Sequence, residues 1–265
     1  INPSFSGTVK RGSVTCPCCG YTTPADHVRQ QFRGRQGGAN DARLYCVATI
    51  KPGSVGRVFR LPNEQDFKSI ELAKDELQKR IELHKDNYVL VPNEELPYLR
   101  SIFNIRLLDV KAWGELFTIR QLVAITTLVK LVRRVGELIT IQEDPQIAIA
   151  VQTILSLMID KQADLSNSLC MWEPVAECPR HLFGRQAIGI VWDFAECVVI
   201  SDSSGGWGIQ VDRIENVLRG IGSNWGTGTV VQASSIKHPL PDDSANLLVT
   251  DPPYYDAVPY ADLSD

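Results

Sequence analysis

Residues 245–260 read ANLLVTDPPYYDAVPY, and the fold class turns on how this stretch is read. Residues 246–250 (NLLVT) form a short, mostly apolar run, the content of a strand buried on both faces of a parallel sheet. Asp251, Pro252, Pro253 and Tyr254 then stand at the carboxyl end of that strand, where open α/β sheets bind ligands. Two consecutive prolines fix φ at two residues and remove two N–H donors. The two prolines keep only their carbonyl acceptors, beside one carboxylate and one aromatic ring. Such a set suits an exocyclic amino group on a flat heterocycle. The Asp251 carboxylate and the carbonyl of Pro252 or Pro253 each accept an N–H, and Tyr254 stacks on the ring, a contact worth roughly 1–3 kcal/mol. Tyr255, Asp256 and Tyr260 follow closely enough to line the same pocket.

Working outward, residues 228–234 (GTVVQAS) read as a second strand, and 236–244 (IKHPLPDDS) as the turn-rich link between the two. Before them, 211–222 (VDRIENVLRGIG) is a predicted helix ending in glycine. The preceding SDSSGGWG (201–208) places small residues at a helix start, where N–H groups face an anion. A helix followed by strand, link and strand is the grammar of an α/β sheet. Residues 179–197 (PRHLFGRQAIGIVWDFAEC) are predicted helical, with Asp193 and Glu196 one turn apart as capping or salt-bridge residues. Two long core helices are predicted over 115–139, where Leu122, Ile125, Leu128, Val129, Val132 and Val135 recur at helical spacing, and from Pro145 onward. Residues 64–86 read as an exposed amphipathic helix. Residues 44–50 and 56–61 read as short β-like runs. Arg29, Arg33, Arg35 and Arg43 make a locally basic stretch, read as a solvated loop with phosphate contact as the alternative.

The whole chain of 265 residues is 44% hydrophobic and 22% charged, with a formal net charge of −4. That balance argues against a protein that simply coats nucleic acid and leaves room for an enzyme with a local basic groove. No apolar run approaches the roughly 20 residues needed to span a bilayer, and residues 1–20 do not read as a signal peptide. Seven cysteines, three of them at 16, 18 and 19, argue against a secreted disulfide framework and for reduced thiols or a metal site in a cytoplasmic protein. Cys16 and Cys19, with Gly20 behind them, have the Cys-x-x-Cys-Gly form of a zinc knuckle and supply two of four ligands for a structural Zn²⁺. Cys18 is an extra thiol. Cys46, His27 or a pair before residue 1 are the candidates for the other two ligands. Cys170, Cys178 and Cys197 read as small buried hydrophobes.

The segment QASSIKHPLPDDSANLLVTDPPY resembles the catalytic region of amino-methyltransferases that modify adenine N6 or cytosine N4 in DNA: strand, Leu-Pro turn, strand and Asp-Pro-Pro-Tyr loop. TCPCCGYTTPADHVRQQF, GELFTIRQLVAITTLV, FGRQAIGIVWDFAE, SDSSGGW and DPPYYDAVPYADLSD together extend the resemblance to prokaryotic adenine-specific DNA methylases with a zinc ribbon inside the catalytic domain. It implies S-adenosyl-L-methionine as methyl donor, DNA as partner, and a setting in restriction–modification or phage defence. It implies catalysis by Asp251, Pro252, Pro253 and Tyr254, and base binding by Tyr255, Asp256 and Tyr260. Many members have Gly-Asp-Ala where this chain has Ala233-Ser234-Ser235, so Ser234 takes the place of an aspartate that meets the cofactor. It also implies a second zinc knuckle and a glycine-rich cofactor loop upstream of residue 1. Ile1 at the start and Asp265 just past a motif fit an internal piece of a longer, catalytically incomplete chain.

The expected fold is α/β: part of a Rossmann-like methyltransferase sheet with a zinc-ribbon-like insertion and a helical segment. The expected divisions are a ribbon-like segment over 1–62, a helical insertion over 63–165 and part of the catalytic domain over 166–265. The expected reaction is methyl transfer to adenine N6 in DNA. An RNA methyltransferase and a non-catalytic nucleic-acid-binding module are the rival readings.

Overall fold

The computed structural model describes residues 7–264, apart from 52, 54, 55, 100, 101, 143, 185, 222–225, 227, 235, 238, 256 and 257. The chain divides into two compact units, Ile1–Gln210 and Val211–Asp265. The expected boundaries near residues 62 and 165 both fall inside the first.

The first unit begins with a small antiparallel sheet of β1 (Val9–Lys10), β2 (Ser13–Thr15) and β3 (Thr22–Thr23), in register Val9↔Val14 and Thr15↔Thr22. Arg11 and Gly12 link β1 to β2, both at positive φ (49° and 84°), the backbone of a tight hairpin turn. Helix α1 (Ala25–Arg33) follows and buries Val28. The runs expected to be β-like form a second hairpin, β4 (Val47–Thr49) with β5 (Val58–Arg60).

Three helices follow, and each start is set by local chemistry. At α2 (Glu64–Leu83), Asn63 accepts the Asp66 N–H and Asp66 accepts the Asn63 N–H, at 3.1 and 2.8 Å. This reciprocal cap satisfies two otherwise orphaned donors. Thr118 and Gln121 repeat the arrangement before α3 (Ile119–Gln142). Asp144 caps α4 (Pro145–Leu165), with proline at its first position. Helices α3 and α4 pack as a hairpin with their apolar stripes together. The Ser168 N–H donates to the Leu116 carbonyl at 2.8 Å and closes its base. From α2, Arg80 reaches the Val123 carbonyl and the Thr127 hydroxyl of α3, at 2.9 and 2.7 Å.

The tightest core lies in irregular chain beneath that base. Leu96, Phe103, Ile105, Val110, Leu169, Cys170 and Ile188 are all buried. Each large aliphatic or aromatic side chain here stabilises by roughly 1.5–3 kcal/mol over its exposed state. The helix predicted over 179–197 is absent. Cys178–Pro179 is β7, paired with β6 (Trp172–Glu173). Beyond it the chain runs without helix, bridging Phe103 to Ile188 and Met171 to Phe194. The physical reason is composition. Gly184, Gly189 and β-branched Ile188, Ile190 and Val191 are poor helix formers, and the extended backbone brings Ile188 into the core.

Helix α5 (Trp207–Gly220) runs into the second unit, which ends in α6 (Tyr260–Ser264). The strands predicted at 228–234 and 245–250 do not form among the described residues. Val230, Leu247, Leu248 and Val249 are exposed. A strand is held by its ladder and by burial of its side chains, and no described strand lies beside these segments. All three described sheets are small and antiparallel, so the expected partial Rossmann-like sheet is not among them. Among the described residues, no helix is long and apolar enough to cross a membrane.

Candidate functional site

Asp251, Pro252, Pro253, Tyr254 and Tyr255 lie on the surface of the second unit. The Tyr254 backbone N–H donates to the Tyr260 phenol oxygen at 3.4 Å, so the first turn of α6 folds back on the loop. The structure thus brings Tyr260, read as a base-binding residue, against Tyr254. No described residue pairs with the Asp251 carboxylate, which stays open to solvent. Pro252 and Pro253 give the turn no N–H with which to satisfy that carboxylate internally. Asp256 lies outside the described residues. Ser234 is exposed; its hydroxyl accepts the Ile236 N–H at 3.3 Å and its carbonyl accepts the Lys237 N–H at 3.1 Å. Its hydroxyl is tied into a local turn and carries no charge.

The cysteine knuckle sits in the first unit, in the turn joining β2 to β3. Cys16 accepts the Gly20 N–H and donates its own N–H to Tyr21, both at 2.9 Å. Gly20 takes φ +73°, which a side chain would resist. The backbone N–H groups of Cys19 and Cys18 point at the Cys16 sulfur and draw its thiol below the usual range. N–H groups aimed at sulfur favour the thiolate, the form that binds zinc. Cys16 and Cys19 are two thiols of this turn that could serve as metal ligands. Neither Cys46 nor His27 completes a site with them. Among the described residues, no group of three or more His, Cys, Asp or Glu side chains is placed to hold a metal.

The SDSSGGWG turn differs from its reading as an anion cradle. The Gly206 N–H is spent on the Ser203 carbonyl at 2.8 Å and the Trp207 N–H on Val199 at 2.7 Å. Buried Gln162 donates to the Gly205 carbonyl at 2.9 Å. The turn is a packing device.

One feature escapes sequence reading. A cleft of about 300 Å³ opens beside the first sheet, lined by Val14, Val28, Gln31, Phe32, Arg35 and Trp192 among others. Phe32 and Trp192 meet edge to face, ring centroids 5.3 Å apart. The arginine-rich stretch was the only signal for it, because Trp192 comes from a segment read as helix.

Comparison with protein-family models, with curated proteins and with solved structures finds no match to this chain.

Proposed function

We propose that the chain carries the catalytic loop of an S-adenosylmethionine-dependent methyltransferase acting on adenine N6 in DNA. The observation that carries this reading is the open Asp251-Pro252-Pro253-Tyr254 turn, with a free carboxylate, donor-less proline carbonyls and a tyrosine in four consecutive residues.

The adenine amino nitrogen is a weak nucleophile because its lone pair is delocalised into the ring. Asp251 and a proline carbonyl each accept one N–H and draw the nitrogen toward tetrahedral geometry, which localises the lone pair. The bound cofactor supplies an electrophilic methyl on a sulfonium. In the transfer the methyl would pass from sulfur to nitrogen, the S–C bond breaking as the N–C bond forms, and the Asp251 carboxylate or water would take the proton that the nitrogen sheds. Positioning and fixed electrostatics carry the rate. Tyr254 stacks on the base, which has to leave its helix to reach the loop. By the resemblance, Ser234 would meet the cofactor adenine in the place of the family's aspartate, and Cys16 and Cys19 would give two of the thiolates of a structural zinc.

The test uses the longer protein that the resemblance implies, incubated with tritium-labelled S-adenosylmethionine and unmethylated DNA, then digested to nucleosides. Label in N6-methyladenine is expected, and its loss in Asp251→Ala with an unchanged circular dichroism spectrum. Retained transfer in Asp251→Ala, or label only in RNA, overturns the assignment.

A further inference from the structure

The first unit holds charge in a way the whole chain conceals. Residues 1–62 contain nine lysines and arginines against two acids, Asp26 and Asp41, within a protein of net charge −4. One of those acids organises the cations. Asp41 takes Arg35 on one carboxylate oxygen at 2.5 Å and Arg43 on the other at 3.5 Å. Its side chain is only 8% exposed, while those of Arg35 and Arg43 are 59% and 76% exposed. Two guanidiniums are thus held side by side on one buried carboxylate, with a net positive charge and both side chains largely exposed. Arg43 is steadied further by its Nη1, which donates to the Asp41 and Ala42 carbonyls at 3.2 Å.

Arg35 also lines the cleft beside Phe32 and Trp192, its guanidinium 5.9 Å from the Phe32 ring centre. Trp192 is 40% exposed, so part of its indole is free to take a stacking partner. Gln31 adds an amide that both donates and accepts. A volume of about 300 Å³ stands at the small end of ligand pockets. It suits one flat heterocycle.

We propose that this cleft holds one unpaired nucleotide of a nucleic-acid strand: the base against Trp192 and Phe32, its edge read by Gln31, and its phosphate on the Arg35–Arg43 pair. Guanidinium pairs bind phosphate oxygens in a forked geometry that lysine does not match. A base still paired in a duplex cannot enter. The choice of a polynucleotide over a free nucleotide leans on the methyltransferase reading. The cleft and the catalytic loop share no residue, so strand capture and turnover are separable.

The experiment measures binding of a fluorescein-labelled single-stranded oligonucleotide to the 265-residue chain by anisotropy, over a range of salt, without cofactor. Trp192→Ala is expected to weaken binding by about tenfold, as lost stacking does. Arg43→Ala, a change at an exposed position, is expected to lower the slope of log affinity against log salt by about 1. Thermal melting of both variants checks folding. Should Trp192→Ala not fold, Arg43→Ala and quenching of tryptophan fluorescence in the unaltered protein still decide the matter. Unchanged affinity and slope in Arg43→Ala overturn the proposal, and so does equal binding of a duplex of the same length. Adenosine monophosphate competing as well as the oligonucleotide overturns the polynucleotide assignment. Loss of methyl transfer in Asp251→Ala with strand binding intact is expected; a failed transfer assay alone leaves the cleft reading standing.

Discussion

Glu196 receives Arg120 on both of its carboxylate oxygens, at 2.6 and 2.9 Å, and accepts the Thr118 hydroxyl at 3.0 Å. This fork ties the start of α3 to the extended chain around residue 196. Glu196→Gln keeps the shape but leaves the half-buried guanidinium without its counter-charge. Bonds to charged groups contribute more than neutral ones, but solvent reaches both side chains here, so a loss of about 1–2 kcal/mol is expected. Urea unfolding checks it: the midpoint drops while the slope stays constant.

The cap of α2 makes that helix acid-sensitive. Arg60 grips Asp66 at 2.6 and 2.9 Å and the Asn63 N–H adds a third bond. These bonds, Arg60 first, hold the Asp66 carboxyl at about 2, below the ordinary aspartate value of about 3.9. A depressed carboxyl contributes stability above its unfolded value and loses it as pH falls through the folded one. The start of α2 is therefore expected to loosen between about pH 4 and pH 2, and Asp66→Asn to flatten that limb. Far-UV circular dichroism against pH reads it.

Five of the seven cysteines fall into two chemical classes. Burial pushes the Cys170 thiol up to about 12 and raises that of Cys197. Cys18 and Cys19 are exposed, and the Cys16 thiol is drawn down by the N–H groups around it. Iodoacetamide followed by peptide mass spectrometry is expected to label Cys16, Cys18 and Cys19 in the native protein. Cys170 and Cys197 should label only in denaturant. Native labelling of Cys170 contradicts the fold described here.

Two glycines two positions apart should behave oppositely. A Cβ on Gly206 would overlap the Ser201 carbonyl oxygen, which is backbone and cannot swing away. At Gly208, in the first turn of α5, nothing lies within 4 Å. Gly206→Ala is expected to cost about 2 kcal/mol or more, within the range of overpacking penalties. Gly208→Ala should be neutral or stabilise by up to about 1 kcal/mol. Thermal melts of the two variants side by side decide it.

Helices α2, α3 and α4 were legible in the sequence because their signals are local: apolar spacing along the first two and Pro145 at the start of the third. The cysteine knuckle was legible for the same reason, since Cys16, Cys19 and Gly20 act within one turn. The stretch 186–199 was not. An apolar run such as AIGIV suits a helix or an extended strand equally, and its partners Phe103 and Cys170 lie far off in the chain. The cleft was hidden likewise, because Phe32 and Trp192 meet across 160 positions. The Asp251–Tyr254 loop is exposed in the structure. The sheet expected around it is not among the described residues, since strands depend on neighbours that local pattern cannot supply.

The bond from Ser168 to Leu116 at the foot of the α3–α4 hairpin has a consequence for how this chain tolerates change. The polypeptide leaves the core at one point, travels out and back through two helices, and returns to the same point. Matching turns removed from both arms, or added to both, would leave the departure and return undisturbed. Length there is a free variable, while the residues at the foot are not. Beyond the part of α3 that Arg80 of α2 holds, the reach of the hairpin can change without the body beneath it having to answer.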